Sequence, residues 1–137
     1  MAIKIIVPGV PVPKARPRIT RTGHAYTPKR TAEYEKRISL FAGREMRING
    51  IQPLEKAIRL TVTAVFAVPK SWTKAKREKA LSGGLKHTSR PDLSNIVKSV
   101  EDALNGVVYD DDSQICGIQC IKTYGEEPRT EIIVETE

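Results

Sequence analysis

The residues best suited to chemistry lie in the last third of this 137-residue chain. Asp92 stands at the predicted start of a helix, and Asn95 and Lys98 follow it at three-residue intervals. Asp102 comes one further turn along, so these polar side chains can form a stripe along the helix. A run of three aspartates, 110–112, then precedes a predicted strand.

Three consecutive carboxylates repel one another, and such a cluster is costly unless it is solvated or neutralised by a cation. Carboxylate oxygens suit Mg²⁺ or Mn²⁺, and Mg²⁺ commonly takes only one or two protein carboxylates beside water and substrate phosphate. In phosphodiester hydrolysis such a cation activates a water and stabilises the leaving oxygen. A neighbouring lysine adds positive charge where the transition state gains negative charge, and Lys98 is the candidate.

Spacing alone also permits a simpler interpretation of the same residues. Asp92 can merely cap a helix, and the aspartates 110–112 can form a solvated turn. Acidic turns are common, so a metal site needs support from the surrounding sequence.

That support comes from several separated motifs that occur in one order. They are RPDLSNIVK at 90–98, DALNG at 102–106 and DDSQI at 111–115, preceded by PGVP at 8–11 and KARPR at 14–18. Together they resemble the RusA family of Holliday junction resolvases, and the resemblance spans most of the chain. It implies a homodimeric, Mg²⁺-dependent endonuclease that binds four-way DNA junctions and makes paired, symmetric cuts in DNA recombination and repair. Mn²⁺ is the expected substitute, no small-molecule substrate is implied, and a prophage or phage origin is common in the family.

The resemblance also assigns roles to individual positions. Asp92 matches the first metal-site aspartate of the family and Asp112 the later one, with Asp111 a close neighbour that we include as a metal ligand. Lys98 matches the catalytic lysine of the family.

Ser94 departs from the family pattern, which has aspartate two residues after the first metal-site aspartate. A serine hydroxyl is neutral and a weaker Mg²⁺ ligand, so this catalytic position loses a negative charge. The serine at position 94 has three possible explanations: a degenerate natural enzyme, compensation by Asp110 or Asp102, or an introduced substitution. The alternative function is therefore a catalytically weakened protein that binds branched DNA.

A basic segment early in the chain predicts the DNA contacts. The chain has a formal net charge of +7, which favours a polyanionic partner because neutralised phosphates release counterions. Three prolines stiffen part of the segment into a loop. A solvated loop and a small RNA-binding protein are the alternatives, but the latter leaves the acidic motifs unexplained. The predicted DNA-binding residues are Lys14, Arg16, Arg18, Arg21, Lys29 and Arg30.

Hydrophobic periodicity predicts the elements that position these residues. Strands are expected at 3–7, 58–68, 115–123 and 131–135, and helices at 31–46, 71–80 and 93–104. Their order favours an α+β two-layer sandwich, a mixed sheet with helices on one face. Residues 1–137 are expected to form a single domain.

Composition restricts where such a protein works. Cys116 and Cys120 lack a second pair and a flanking histidine, so zinc binding is not expected, and both are predicted to be reduced core residues. The apolar stretch near the N-terminus is too short for a signal peptide or a membrane span. We therefore expect a cytoplasmic protein without membrane contact.

Overall fold

The computed structural model describes residues 1–136, and in them it confirms the α+β class with a mixed sheet. In chain order the elements are β1 (Ala2–Pro8), β2 (Arg18–Ile19), β3 (Ala25–Tyr26), α1 (Lys29–Ile48), β4 (Ile58–Ala67), α2 (Lys74–Leu81), α3 (Leu93–Leu104), β5 (Ile115–Gly125) and β6 (Arg129–Thr136). A short 3-10 turn, Asp112–Gln114, directly precedes β5.

Contacts between Cα atoms divide the described chain into two compact units. We call residues 1–11, 56–90 and 115–136 the sheet unit, since they hold the four long strands and α2. Residues 12–55 and 91–114 form the helical unit, which holds α1, α3 and the short strands β2 and β3. The expectation of a single domain stays a prediction.

The sheet of the sheet unit has the order β1-β6-β4-β5. β6 is antiparallel to β1 and to β4, whereas β4 and β5 run parallel. Alternate side chains are buried in the three strands β1, β6 and β4, as their alternating sequences predict. Ile5, Val62 and Ile132 are fully buried on the apolar side of these strands.

β5 lies at an edge of this sheet, and none of its residues is buried. The prediction that both cysteines are core residues is therefore wrong for Cys116, which is exposed, while Cys120 is half-buried. β1, at the other edge, buries Ile3, Ile5 and Val7, so an edge position alone does not expose a strand. Sequence periodicity does not reveal how much cover a strand receives from the elements around it. Both cysteines are free thiols, as predicted.

The helical unit has its core where α1 contacts α3. Tyr34, Ile38 and Ala42 follow one another at helical spacing on the buried side of α1. Ile96 and Val100 do the same on α3. The ends of α3 agree with the prediction, because Asn105 and Gly106 end the apolar period there.

The predicted starts of the other two helices were less accurate. α1 begins two residues before the predicted start, and Pro28 occupies its N-cap position without a side-chain cap hydrogen bond. α2 begins three residues later than predicted because Thr73 is its cap, with its hydroxyl accepting a hydrogen bond from the amide of Lys76 at 3.2 Å.

Candidate nuclease site

α3 carries the first half of the candidate site on its polar side. Asp92 occupies the N-cap position, but its carboxylate makes no cap hydrogen bond. Asp92, Ser94 and Lys98 are all exposed, while Ile96 beneath them is fully buried. The simpler interpretation of Asp92 as a capping side chain therefore has no hydrogen bond to support it.

Lys98 and Lys14 share one carboxylate of α3. The Lys98 Nζ lies 3.5 Å from Asp102 Oδ1, and the Lys14 Nζ lies 3.0 Å from Asp102 Oδ2. Lys14 also donates to Glu35 Oε1 of α1 at 2.7 Å. Partial burial alone would lower the pKa of Lys14, but the hydrogen bonds and charges of Glu35 and Asp102 outweigh it and raise this pKa.

The acidic turn at 110–112 is fixed by a side chain that the sequence did not single out. The Gln114 Oε1 accepts hydrogen bonds from the amides of Asp110 and Asp111, both at 2.9 Å. The same amide group donates from Nε2 to the Leu54 carbonyl at 2.8 Å. The backbone of the turn is thus held without help from the carboxylate of Asp112.

The aspartates of this turn differ in their surroundings. Asp111 is exposed, and hydrogen bonds from Ser113 lower the pKa of its carboxyl group, with the Ser113 amide 3.1 Å from Oδ2. Asp112 is half-buried. Within residues 1–136, no ion pair neutralises the carboxylates of Asp92, Asp111 or Asp112.

Glu101 and Tyr109 join the acidic turn to the end of α3. Burial first, and then the charges of Asp112 and Asp102, raise the pKa of Glu101 against the opposing effect of Lys98. The Tyr109 side chain is 1% exposed, and its hydroxyl donates to the Glu101 carbonyl at 2.7 Å. Burial and the surrounding carboxylates raise the pKa of Tyr109, so the phenol stays neutral.

The predicted site residues are thus brought together in part. Asp112 lies within electrostatic range of the α3 carboxylates, whereas no hydrogen bond or ion pair joins Asp92 to the acidic turn. Among residues 1–136, no three His, Cys, Asp or Glu side chains are grouped to hold a metal ion. The donor chemistry nevertheless fits Mg²⁺. The carboxylates of Asp92, Asp111 and Asp112 form no ion pair with a lysine or arginine of residues 1–136, and Mg²⁺ commonly uses only one or two protein carboxylates.

Glu101 is the acidic neighbour that the sequence prediction missed. Ser94, Lys98 and Glu101 are spaced by four and three residues, so they share one side of α3. This spacing could have identified Glu101. Its proximity to Asp112 could not be predicted, because it depends on how the chain turns after α3.

The basic segment forms a loop without helix or strand at 11–17, as predicted from its prolines, but Arg18 lies in a strand that the prediction missed. β2 and β3 pair as a short ribbon, with Arg18 opposite Tyr26. The turn between them has Gly23 at φ +86°, a conformation that glycine adopts readily. Five of the six predicted DNA-binding side chains are exposed, and Lys14 is the half-buried exception; the exposed residues are Arg16, Arg18, Arg21, Lys29 and Arg30.

Comparison with known proteins identifies the family that these motifs suggested. The family model described as endodeoxyribonuclease RusA matches residues 8–135. The uncharacterized protein YqaN of Bacillus subtilis strain 168 is 37% identical over 140 residues, which cover 96% of this chain and 94% of YqaN. None of the helices formed by residues 1–136 has the length and apolar character needed to cross a membrane. Since the family match includes both the basic segment and the acidic turn, the chain belongs to the RusA endodeoxyribonuclease family.

Proposed function

We propose that this protein is a Mg²⁺-dependent endonuclease that binds four-way DNA junctions and resolves them by paired, symmetric cuts in recombination and repair. The observation that carries the proposal is the RusA match over residues 8–135, which includes Asp92, Lys98 and Asp112. The exposed basic residues and uncompensated carboxylates in the helical unit support it.

The proposed roles follow the chemistry of each side chain. Asp92, Asp111 and Asp112 are candidate Mg²⁺ ligands, with fewer than three expected on one ion because no trio is grouped for that purpose. A bound Mg²⁺ supplies an activated water and charge neutralisation at the scissile phosphate, and Mn²⁺ is the proposed substitute. The exposed ammonium of Lys98 stabilises negative charge that develops on the phosphate oxygens.

The basic segment binds the DNA backbone in this proposal. Arginine and lysine contacts to phosphate position a protein on DNA and carry no sequence information. Recognition of a junction then depends on the shape of the branched DNA. Two coordinated cuts require two active sites, so we propose a homodimer that acts in the cytoplasm.

A cleavage assay on a synthetic four-way junction tests the proposal. Purified protein with Mg²⁺ or Mn²⁺ should nick opposing strands symmetrically, whereas EDTA and a linear duplex of the same sequence should give no such products. Asp112→Asn should abolish cleavage while junction binding persists. Asp110→Asn removes the same charge from the same turn. Unchanged cleavage in this variant would show that loss of charge alone does not explain the effect of Asp112→Asn and that Asp110 does not compensate for Ser94. Equal cleavage of junction and duplex would contradict junction resolution.

Ser94 favours a second candidate function, namely a branched-DNA-binding protein with weakened catalysis. The hydroxyl of Ser94 is exposed on α3 on the same side as Lys98, where the family pattern has aspartate. In that case the wild type should shift a junction in a gel more strongly than a linear duplex but leave it uncut. Ser94→Asp should then gain cleavage with Mg²⁺. An active wild type whose rate Ser94→Asp leaves unchanged would exclude this candidate.

A further inference from the structure

We propose that Lys14 is a positioning residue that fixes α3 and orients Lys98 through Asp102, in place of the DNA contact that its sequence context suggests. The inference rests on the proposed nuclease function, because it assigns Lys14 a role in setting the candidate catalytic lysine. All the residues involved belong to the helical unit.

The first argument is that the charge of Lys14 is already satisfied within the protein. Its Nζ contacts Glu35 at 2.7 Å and Asp102 at 3.0 Å, and its side chain is 23% exposed. The side chain of Lys29, another lysine of the basic segment, is 89% exposed, and its closest carboxylate is 3.8 Å away on Glu33. To contact a DNA phosphate, Lys14 would have to break two close ion pairs, whereas Lys29 would have to break only one long, exposed ion pair.

The second argument is that Lys14 contacts α3 at two points. Its backbone amide donates to the Asn95 carbonyl at 2.8 Å, and its ammonium reaches Asp102, seven residues farther along the helix. Seven residues rise about 10 Å along an α-helix. One lysine therefore holds the first turn of α3 and a point two turns later.

The third argument is that the backbone around Lys14 is tied to α1. The buried Thr31 hydroxyl donates to the Pro13 carbonyl at 3.2 Å and accepts from the Ala15 amide at 3.3 Å. These hydrogen bonds hold the residues on both sides of Lys14. The lysine thus connects α1 to the helix that carries Asp92 and Lys98.

The connection to the candidate catalytic lysine passes through the two oxygens of one carboxylate. Asp102 uses Oδ2 for Lys14 and Oδ1 for Lys98. When Lys14 fixes the plane of this carboxylate, it also fixes where Oδ1 meets the ammonium of Lys98. Without Lys14, the carboxylate is free to rotate and to pair fully with Lys98, which would draw the ammonium away from the phosphate.

The salt dependence of junction binding in EDTA separates positioning from DNA contact without any cleavage. Lys14→Met should keep the wild-type slope of log Kd against log salt concentration. Lys29→Met, the matched substitution, should make the slope shallower by about 0.9, the value for one lost phosphate contact. A Lys14→Met slope that falls as much as that of Lys29→Met would overturn the proposal.

Cleavage kinetics test the link to Lys98. Lys14→Met should lower kcat by about 10- to 100-fold with KM nearly unchanged, as expected when a catalytic group is displaced. Lys14→Arg, which keeps the charge, should recover most of kcat. The double variant Lys14→Met/Asp102→Asn should be no slower than the slower single variant, because both changes break one connection.

Two results distinguish failure of this inference from failure of the proposed function. If the wild type cuts no junction with either Mg²⁺ or Mn²⁺, the proposed function fails, and the salt dependence still decides whether Lys14 contacts DNA. If the wild type cuts and Lys14→Met keeps the wild-type kcat, the positioning role is wrong. Should Lys14→Met not fold, Lys14→Gln, which removes the charge but keeps a polar side chain, replaces it in the comparison with Asp102→Asn. Multiplicative kcat losses in that double variant would contradict the proposed connection.

Discussion

Tyr109 shows how single side chains hold the candidate site together. Its phenol is buried and donates to the Glu101 carbonyl at 2.7 Å, beside the carboxylates of Glu101 and Asp112. A donor at this place ties the segment before the acidic turn to the last turns of α3. The hydroxyl must be neutral to donate, and the raised pKa of Tyr109 keeps it so.

Tyr109→Phe tests this hydrogen bond, because it removes only the hydroxyl. The Glu101 carbonyl retains the Asn105 amide at 3.2 Å, so no acceptor is left unpaired. The free energy of unfolding should therefore fall by about 0.5 to 1.5 kcal/mol in urea denaturation. Tyr26→Phe, at a side chain exposed on β3, is the matched control and should change nothing measurable. Equal stability of Tyr109→Phe and wild type would show that the bond contributes no net stability.

His87 gives the sheet unit a pH dependence of its own. Its ring stacks on Phe66 with a centroid distance of 4.3 Å and lies 4.9 Å from the ring of Tyr124. Burial first, and then the charge of Lys122, lower the pKa of His87. A positive charge on the His87 ring would be poorly solvated there and would be repelled by Lys122. A second cation, Lys76, lies over Trp72, whose ring packs against that of Tyr124.

The sign of the effect follows from proton binding. Because the unfolded chain takes up the proton at a higher pH than the folded protein, the contribution of neutral His87 is present above about pH 6.5. It is lost as the pH falls from there through the lower pKa of the folded state. His87→Phe keeps a ring and should flatten the decline of unfolding free energy between pH 7 and pH 5. His24→Phe, in an exposed turn, is the control, and an unchanged slope in His87→Phe would refute the prediction.

Residue types predicted which chemical groups the site contains, but only part of which side chains lie near one another. Asp92, Lys98 and Asp112 were found from spacing and family resemblance. Glu101 was missed because it meets the acidic turn only after the chain reverses beyond α3. Gly106, at φ +78°, makes that reversal, and its amide donates to the Tyr109 carbonyl at 2.8 Å. A glycine after a helix predicts an end to the helix, but not the direction the chain takes next.

At the scale of elements, local patterns predicted the long strands and helices well. α3 was placed at its observed ends because an apolar period, a cap position and a glycine agree there. The ribbon of β2 and β3 was missed, since each strand has only two residues and shows no alternation. The pairing of β2 with β3 depends on the turn at Gly23. The three prolines before β2 favour an extended loop, so the sequence pattern contains no separate indication of this turn.

Gly125 meets a packing requirement that the alternation of apolar and polar residues does not reveal. A Cβ atom at this end of β5 would lie 2.5 Å from Val65 Cγ1 of β4, and Val65 is 1% exposed. Gly125→Ala should therefore lower the free energy of unfolding by about 1 to 3 kcal/mol in chemical denaturation, as overpacking does. Gly117→Ala in the same strand is the control, because its nearest contact would be an ordinary 3.7 Å from Arg59. Equal losses for the two variants would contradict the steric explanation.

At the scale of the whole molecule, the distribution of positive charge indicates which part of the protein attracts DNA. The net charge of +7 is not spread evenly, since five exposed cations occur between positions 16 and 30. This stretch contains no carboxylate, and among its five exposed cations Lys29 is 3.8 Å from Glu33, which lies just beyond the stretch. The same charge attracts any nucleic acid, and the family relation is what directs the interpretation to DNA.

Salt should weaken junction binding steeply if these five cations all contact phosphates. The expected slope of log association constant against log salt is then about −4 to −5, or −0.9 for each contact. Fluorescence anisotropy with a labelled junction in EDTA measures it between low and physiological salt. Charge-preserving Arg18→Lys should keep the slope, whereas Arg18→Gln should reduce its magnitude by about one. A wild-type slope near zero would rule out phosphate contacts by the basic segment.

The Gln114 side chain has a consequence for how this protein can change over time. It holds the amides of Asp110 and Asp111 from one side and the Leu54 carbonyl from the other. An uncharged amide makes these contacts, so they do not depend on the carboxylates of Asp110 and Asp112. The carboxylate of Asp111, by contrast, accepts a hydrogen bond from the Ser113 amide at 3.1 Å. Mutation can therefore remove the carboxylate of Asp110 or Asp112 while the turn keeps the hydrogen bonds of Gln114. Under the proposed function, one substitution in this turn is enough to change cleavage while the fold is retained.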